Sequence, residues 1–126
     1  MNTDSINKAD VSRLLLRPFP HPLGDLKPKI VRYFIEWYPK NMHIVREFYR
    51  LALFLKRNGR RGKYSSQMIC HQIRWESMMQ DLFDKEYKIN QNIGSALGRI
   101  VMAHSDELDG MFRTKKHRYK LEQNII

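Results

Sequence analysis

A chain of 126 residues with 42% hydrophobic and 11% aromatic content can bury a core as one domain and is too apolar to be disordered. One cysteine, Cys70, excludes a disulfide framework and suits a reducing compartment. No apolar run reaches membrane-span length, so a cytoplasmic protein away from the membrane is expected; its formal charge of +10 points to a polyanionic partner.

Residues 1–27 read as a flexible, proline-rich arm. Positions 1–12 are polar, and "RPFPHPLGDLKP" (17–28) carries four prolines and a glycine that favour extended backbone. A single domain is expected over 28–126. It opens with a short helix at Pro28, in which Ile30, Phe34 and Trp37 share a face and which Pro39 ends. Asn41 is placed as N-cap of the longest helix, about 42–57, whose inward stripe is Ile44, Phe48, Leu51 and Leu55 with Val45 and Ala52. Asn58-Gly59 closes it.

Ser65 or Ser66 caps the next helix, about 66–79, with Ile69, Ile73, Met68 and Trp75 expected inward. "EYKIN" (86–90) alternates as a short strand would. A further helix, about 91–104, carries Ile93, Leu97, Ile100 and Val101 towards the core. The expected fold is therefore mainly α with a minor β element. The order helix, basic turn, helix, strand, helix, basic extension fits a small winged helix-turn-helix-like domain.

The charge is clustered. Lys56, Arg57, Arg60, Arg61 and Lys63 lie within "KRNGRRGK", and Arg113, Lys115, Lys116, Arg118 and Lys120 within "RTKKHRYK", with no acid in either. With these ten set aside, the remaining 13 Lys and Arg balance the 13 Asp and Glu. Such clusters suit phosphate contact better than simple solubility, and Lys63 also precedes a helix N-terminus, where backbone N–H groups favour anions. On helix 91–104, Gln91, Asn92, Ser95 and Arg99 lie opposite the apolar stripe. Their side chains have the hydrogen-bonding groups that read base edges, and Arg99 is expected exposed. Gly94 and Gly98, four apart, suggest close approach of another backbone or of DNA.

Catalysis finds little support. The five histidines lack metal-ligand spacing, and the acids Asp81, Asp84 and Glu86, or Asp106, Glu107 and Asp109, read as helix ends and turns rather than a nuclease metal site. Neither enzymatic activity nor a cofactor is expected. The methionines are expected mainly as gap-filling core.

From about Asn41 onward, "NMHIVREFYRLAL", "YSSQMICHQIRWE", "YKINQNIGSALGRIVM" and "DGMFRTKK" resemble a group of short, uncharacterised phage and prophage proteins. The resemblance implies a phage or prophage origin and a winged-helix-like fold. The expected function is non-enzymatic binding of nucleic acid, double-stranded DNA ahead of RNA, with a homodimer as a way to enlarge the reading surface. The alternative is a phage-encoded inhibitor of a host protein or ribonucleoprotein, anchored by the arm through Phe19 and Leu23.

Overall fold

The computed structural model describes residues 4–18, 21–59, 64–80 and 91–112. Five α-helices order the described chain: α1 (Lys8–Leu15), α2 (Pro28–Trp37), α3 (Met42–Asn58), α4 (Ser66–Gln80) and α5 (Gln91–His104). Two 3₁₀ turns, Tyr38–Lys40 and Asp106–Leu108, follow α2 and α5. The mainly helical expectation holds. A minor β element is not seen among the described residues, where the only β pairing is an isolated parallel bridge between Tyr64 and Phe112. The strand expected at 86–90 lies outside them.

Helix α5 is the centre of the packing, in contact with α1, α2, α3 and α4. Ile93, Ala96, Leu97, Ile100 and Val101 are wholly excluded from solvent, and the sequence can bring neighbours this close because two turns carry no side chain. A Cβ on Gly94 would stand 2.7 Å from Gln67 Nε2 and 3.1 Å from Cys70 Sγ. One on Gly98 would stand 3.2 Å from Ser66 Cβ. The two glycines therefore seat α4 against α5, which accounts for their helix-propensity cost of about 1 kcal/mol each.

The extended arm is corrected. Asn7 and Asp10 form a capping box, each side chain accepting the other's backbone N–H at 2.9 Å. Ile6 and Val11 occupy the positions of a hydrophobic staple around this cap, at 1% and 0% exposure. Leu14 and Leu23 are buried with them. Each such side chain stabilises the fold by about 1.5–3 kcal/mol, so this segment belongs to the core. The proline stretch is not uniformly extended. Gly24 N–H donates to the His21 carbonyl in a turn, and the Leu23 N–H donates to His21 Nδ1 at 3.0 Å. His21 Nε2 therefore carries the proton and donates to the Leu15 carbonyl at 3.0 Å, fixing the route from α1 to α2.

Helix α3 buries Ile44, Val45, Phe48, Tyr49, Ala52 and Leu53, a face rotated slightly from the expected stripe, with Leu51 and Leu55 half-buried. Asn41 stands before α3 but does not cap it through its side chain; Nδ2 turns back to donate to the Trp37 carbonyl at 2.8 Å. On α4 the inward face is Ile69, Cys70, Ile73 and Ser77. Met68 and Trp75, expected inward, are 46% and 58% exposed. Met78 and Met79 are also exposed, so methionine is not simply core filler in this chain.

Candidate nucleic-acid interface

The two basic clusters lie fifty residues apart in sequence, and the described residues that adjoin them, Tyr64 and Phe112, are paired. Tyr64 N–H donates to the Met111 carbonyl at 2.9 Å, making the parallel bridge with Phe112. Lys63 directly precedes one partner of that bridge and Arg113 directly follows the other. The bridge is well founded. Phe112 is 3% exposed, packs against Phe48 with ring centroids 5.6 Å apart, and lies beside Gly98. Gly59 is equally required there, because a Cβ would come within 2.5 Å of the Leu55 carbonyl and 2.2 Å of the Tyr64 hydroxyl. Arg60, Arg61 and Lys63 and the whole cluster Arg113, Lys115, Lys116, Arg118 and Lys120 lie outside the described residues.

Lys56 and Arg57, at the end of α3, are both exposed. Lys56 makes no ion pair among the described residues, whereas Arg57 bridges two acids. Its Nη2 donates to Asp4 Oδ1 at 2.8 Å, and its Nε and Nη2 donate to the two Glu107 oxygens at 2.8 and 2.9 Å. These bonds, Glu107 first, raise the Arg57 pKa further above its ordinary value, and Arg57 in turn holds Glu107 below the usual carboxylate range. Arg57 is thus a clasp between the N-terminal segment, α3 and the turn after α5.

Helix α5 departs most from the expected reading face. Arg99 is 10% exposed, not a projecting arm. Its Nε and Nη2 grip both oxygens of Asp25 at 2.7–3.0 Å, and its Nη1 donates to the Ser95 carbonyl at 2.9 Å. The physical reason is steric and electrostatic together. Asp25 lies against this side of α5, and a largely buried guanidinium needs a carboxylate partner. Ser95 is half-buried beside it. Gln91 and Asn92 remain exposed at the start of the helix, about 10 Å along α5 from Gly98 and the Phe112 ring. The Gln91 carbonyl accepts from Gln67 Nε2 at 2.9 Å, which ties the beginnings of α4 and α5 together. Ser65 Oγ accepts from Gln67 N–H at 3.2 Å, so Ser65 is the cap the sequence offered.

Nothing in the sequence pattern isolated the outer face of α4. Met68, Trp75 and Met79 recur at helical spacing with His71, Gln72 and Met78 beside them, all exposed. Cys70 faces the opposite way, and burial pushes its thiol up to about 12. It is therefore an unreactive core side chain at neutral pH. Among the described residues no three His, Cys, Asp or Glu side chains gather in a way that could hold a metal ion, and no helix is long and apolar enough to cross a membrane. No family model, curated protein or solved structure matches the chain.

Proposed function

We propose that this is a non-enzymatic, cytoplasmic nucleic-acid-binding protein of phage or prophage kind, which holds double-stranded DNA chiefly by its phosphates. The observation that carries the reading is the Tyr64–Phe112 bridge, which joins the roots of two segments that together hold the chain's whole excess of positive charge. Cations concentrated from distant sequence positions neutralise adjoining phosphates and release their counterions together. In its winged helix-turn-helix form, the reading gives the wing's part, phosphate contact, to 113–120. Base contact falls to Gln91 and Asn92, since Arg99 is committed to Asp25. Few base contacts and many phosphate contacts mean weak sequence preference.

Fluorescence anisotropy of a labelled random-sequence duplex across a salt series tests this. With about six phosphates neutralised, the log–log slope of affinity against salt is near −5. A slope near zero removes the reading, and tighter binding to single-stranded or duplex RNA transfers it to RNA.

The face of α4 favours a second reading, an inhibitor that binds a host protein or ribonucleoprotein. Trp75 at 58%, Met78 at 80% and Met79 at 66% exposure form an apolar surface of the adaptable kind used against protein partners. Host partners that survive nuclease digestion and are lost with Trp75→Ala support it; partners lost on digestion support nucleic acid.

A further inference from the structure

The sequence outside the two clusters is balanced in charge, but the fold does not leave it balanced in space. The ion-paired carboxylates of the described residues are engaged elsewhere: Asp10 with Arg13, Asp25 with Arg99, Glu47 with Arg50, and Asp4 and Glu107 with Arg57. Lys27, Lys29, Arg32 and Lys40, along α2 and the turn after it, are exposed and make no ion pair among the described residues. The single acid from position 26 to position 46 is Glu36. Lys29, Arg32 and Glu36 share the outer stripe of α2, away from the buried Phe34, so this face carries one acid among its cations, and positions 29 to 40 extend about 16 Å at helical rise. Lys27 and Lys29 also stand at the positive end of the helix dipole with no acid in the first turn, an arrangement unfavourable in the free protein.

We infer that the outer face of α2 is a second phosphate-binding surface, with Lys29, Arg32 and Lys40 as its contacts and a nucleic-acid backbone as its ligand. This rests on the proposed nucleic-acid binding and enlarges it. The face is separate from the Tyr64–Phe112 root. Gly98 turns towards α4 and Phe112, while Arg99, the next residue and about 100° further round α5, turns towards Asp25, two residues before Lys27. The Tyr64–Phe112 root and the segment that leads into α2 therefore lie on different sides of α5. A duplex presents about one charge per 1.7 Å of axis, so a 16 Å stripe meets several phosphates. An amphipathic membrane helix is a poorer fit, because Phe34 and Tyr38 are turned into the core and only Tyr33 and Ile35 are left exposed among the large apolar side chains of α2.

The test uses the full chain, a labelled 20-base-pair random duplex, and two triple variants: Lys29→Ala/Arg32→Ala/Lys40→Ala on α2, and Arg60→Ala/Arg61→Ala/Lys63→Ala in the turn. Circular dichroism checks that both fold. The α2 variant is expected to bind more weakly and to lose about 2.7 from the magnitude of the salt slope, about 0.9 for each contact. Wild-type affinity and slope in the α2 variant, with loss in the turn variant, overturn this inference and leave the proposed function standing. Loss in the α2 variant with none in the turn variant upholds the inference and overturns the assignment to the basic turn. No duplex binding by the wild-type protein overturns both. α2-dependent binding to phosphatidylserine vesicles without any effect on the duplex reassigns the face to a membrane surface and also overturns the inference.

Discussion

Helices α4 and α5 lie side by side and both read as amphipathic, yet one is enclosed and the other stands at the surface. On α5, even positions opposite the apolar stripe are half covered: Ser95 is half-buried and Arg99 is held by Asp25, while Gln91 and Asn92 are exposed. On α4, a tryptophan and three methionines face outward while Ile69 and Ile73 fill the contact. The difference teaches that side-chain size governs enclosure as much as hydrophobicity does. Gly94, Ala96 and Gly98 let neighbours approach α5 closely, whereas bulky Met and Trp residues on α4 stand where nothing described packs on them.

The largest expected effect comes from uncovering α5. Deleting residues 1–26 removes Ile6, Val11, Leu14, Leu23 and Asp25 from around it. Four buried apolar side chains at about 1.5–3 kcal/mol each amount to roughly 6–12 kcal/mol. That is comparable with the whole stability of a domain this size, about 5–15 kcal/mol. The truncated chain is expected to lose most of its helical circular dichroism. Retention of the full signal and a cooperative melt would show that α5 stays folded without its cover, and the contrast with α4 would fail.

A smaller change tests the same side of α5. Arg99→Ala removes the bidentate half of a largely buried ion pair, a loss of about 3–5 kcal/mol for such a pair. Thermal or urea unfolding measures it. A stability within about 0.5 kcal/mol of wild type would mean that Arg99 is free to leave Asp25, and its role as a base reader would reopen.

Much of this was legible in sequence. The spans of α2 to α5 follow from 3.6-residue periodicity and from Pro28, Pro39, Gly59 and Ser65, all local signals. The N-terminal helix was missed, although Asn7 and Asp10 at capping-box spacing, flanked by Ile6 and Val11, carried it; four prolines nearby outweighed them. The Arg99–Asp25 pair spans 74 positions and leaves no local trace. The same holds for the pairing of Tyr64 with Phe112, which depends on one long-range backbone bond from Tyr64 to Met111. Periodicity also cannot rank two candidate faces of a helix as mixed as α4. Met68 and Trp75 are apolar, as Ile69 and Ile73 are, and packing decides which pair turns inward.

Positions 73 and 75 of α4 sharpen the comparison within a single helix. Ile73 is 2% exposed and Trp75 is 58% exposed, although both are candidates for the inward face in sequence. Ile73→Ala should cost about 2–5 kcal/mol, the range for emptying a packed aliphatic site. Trp75→Ala removes a larger side chain and should cost no more than about 0.5 kcal/mol, because solvent already surrounds most of it. Urea denaturation of the two variants in parallel gives the difference directly, with the linear dependence on denaturant checked for an unchanged slope. Tryptophan fluorescence in a Trp37→Phe background adds a second reading, since a largely exposed Trp75 should be quenched readily by iodide in the native protein. Equal destabilisation of the two variants, or protection of Trp75 from iodide, would place Trp75 in the core and withdraw the α4 face from partner binding. A near-silent Trp75→Ala that leaves duplex binding intact but abolishes capture of a nuclease-resistant host partner would assign that face to the partner.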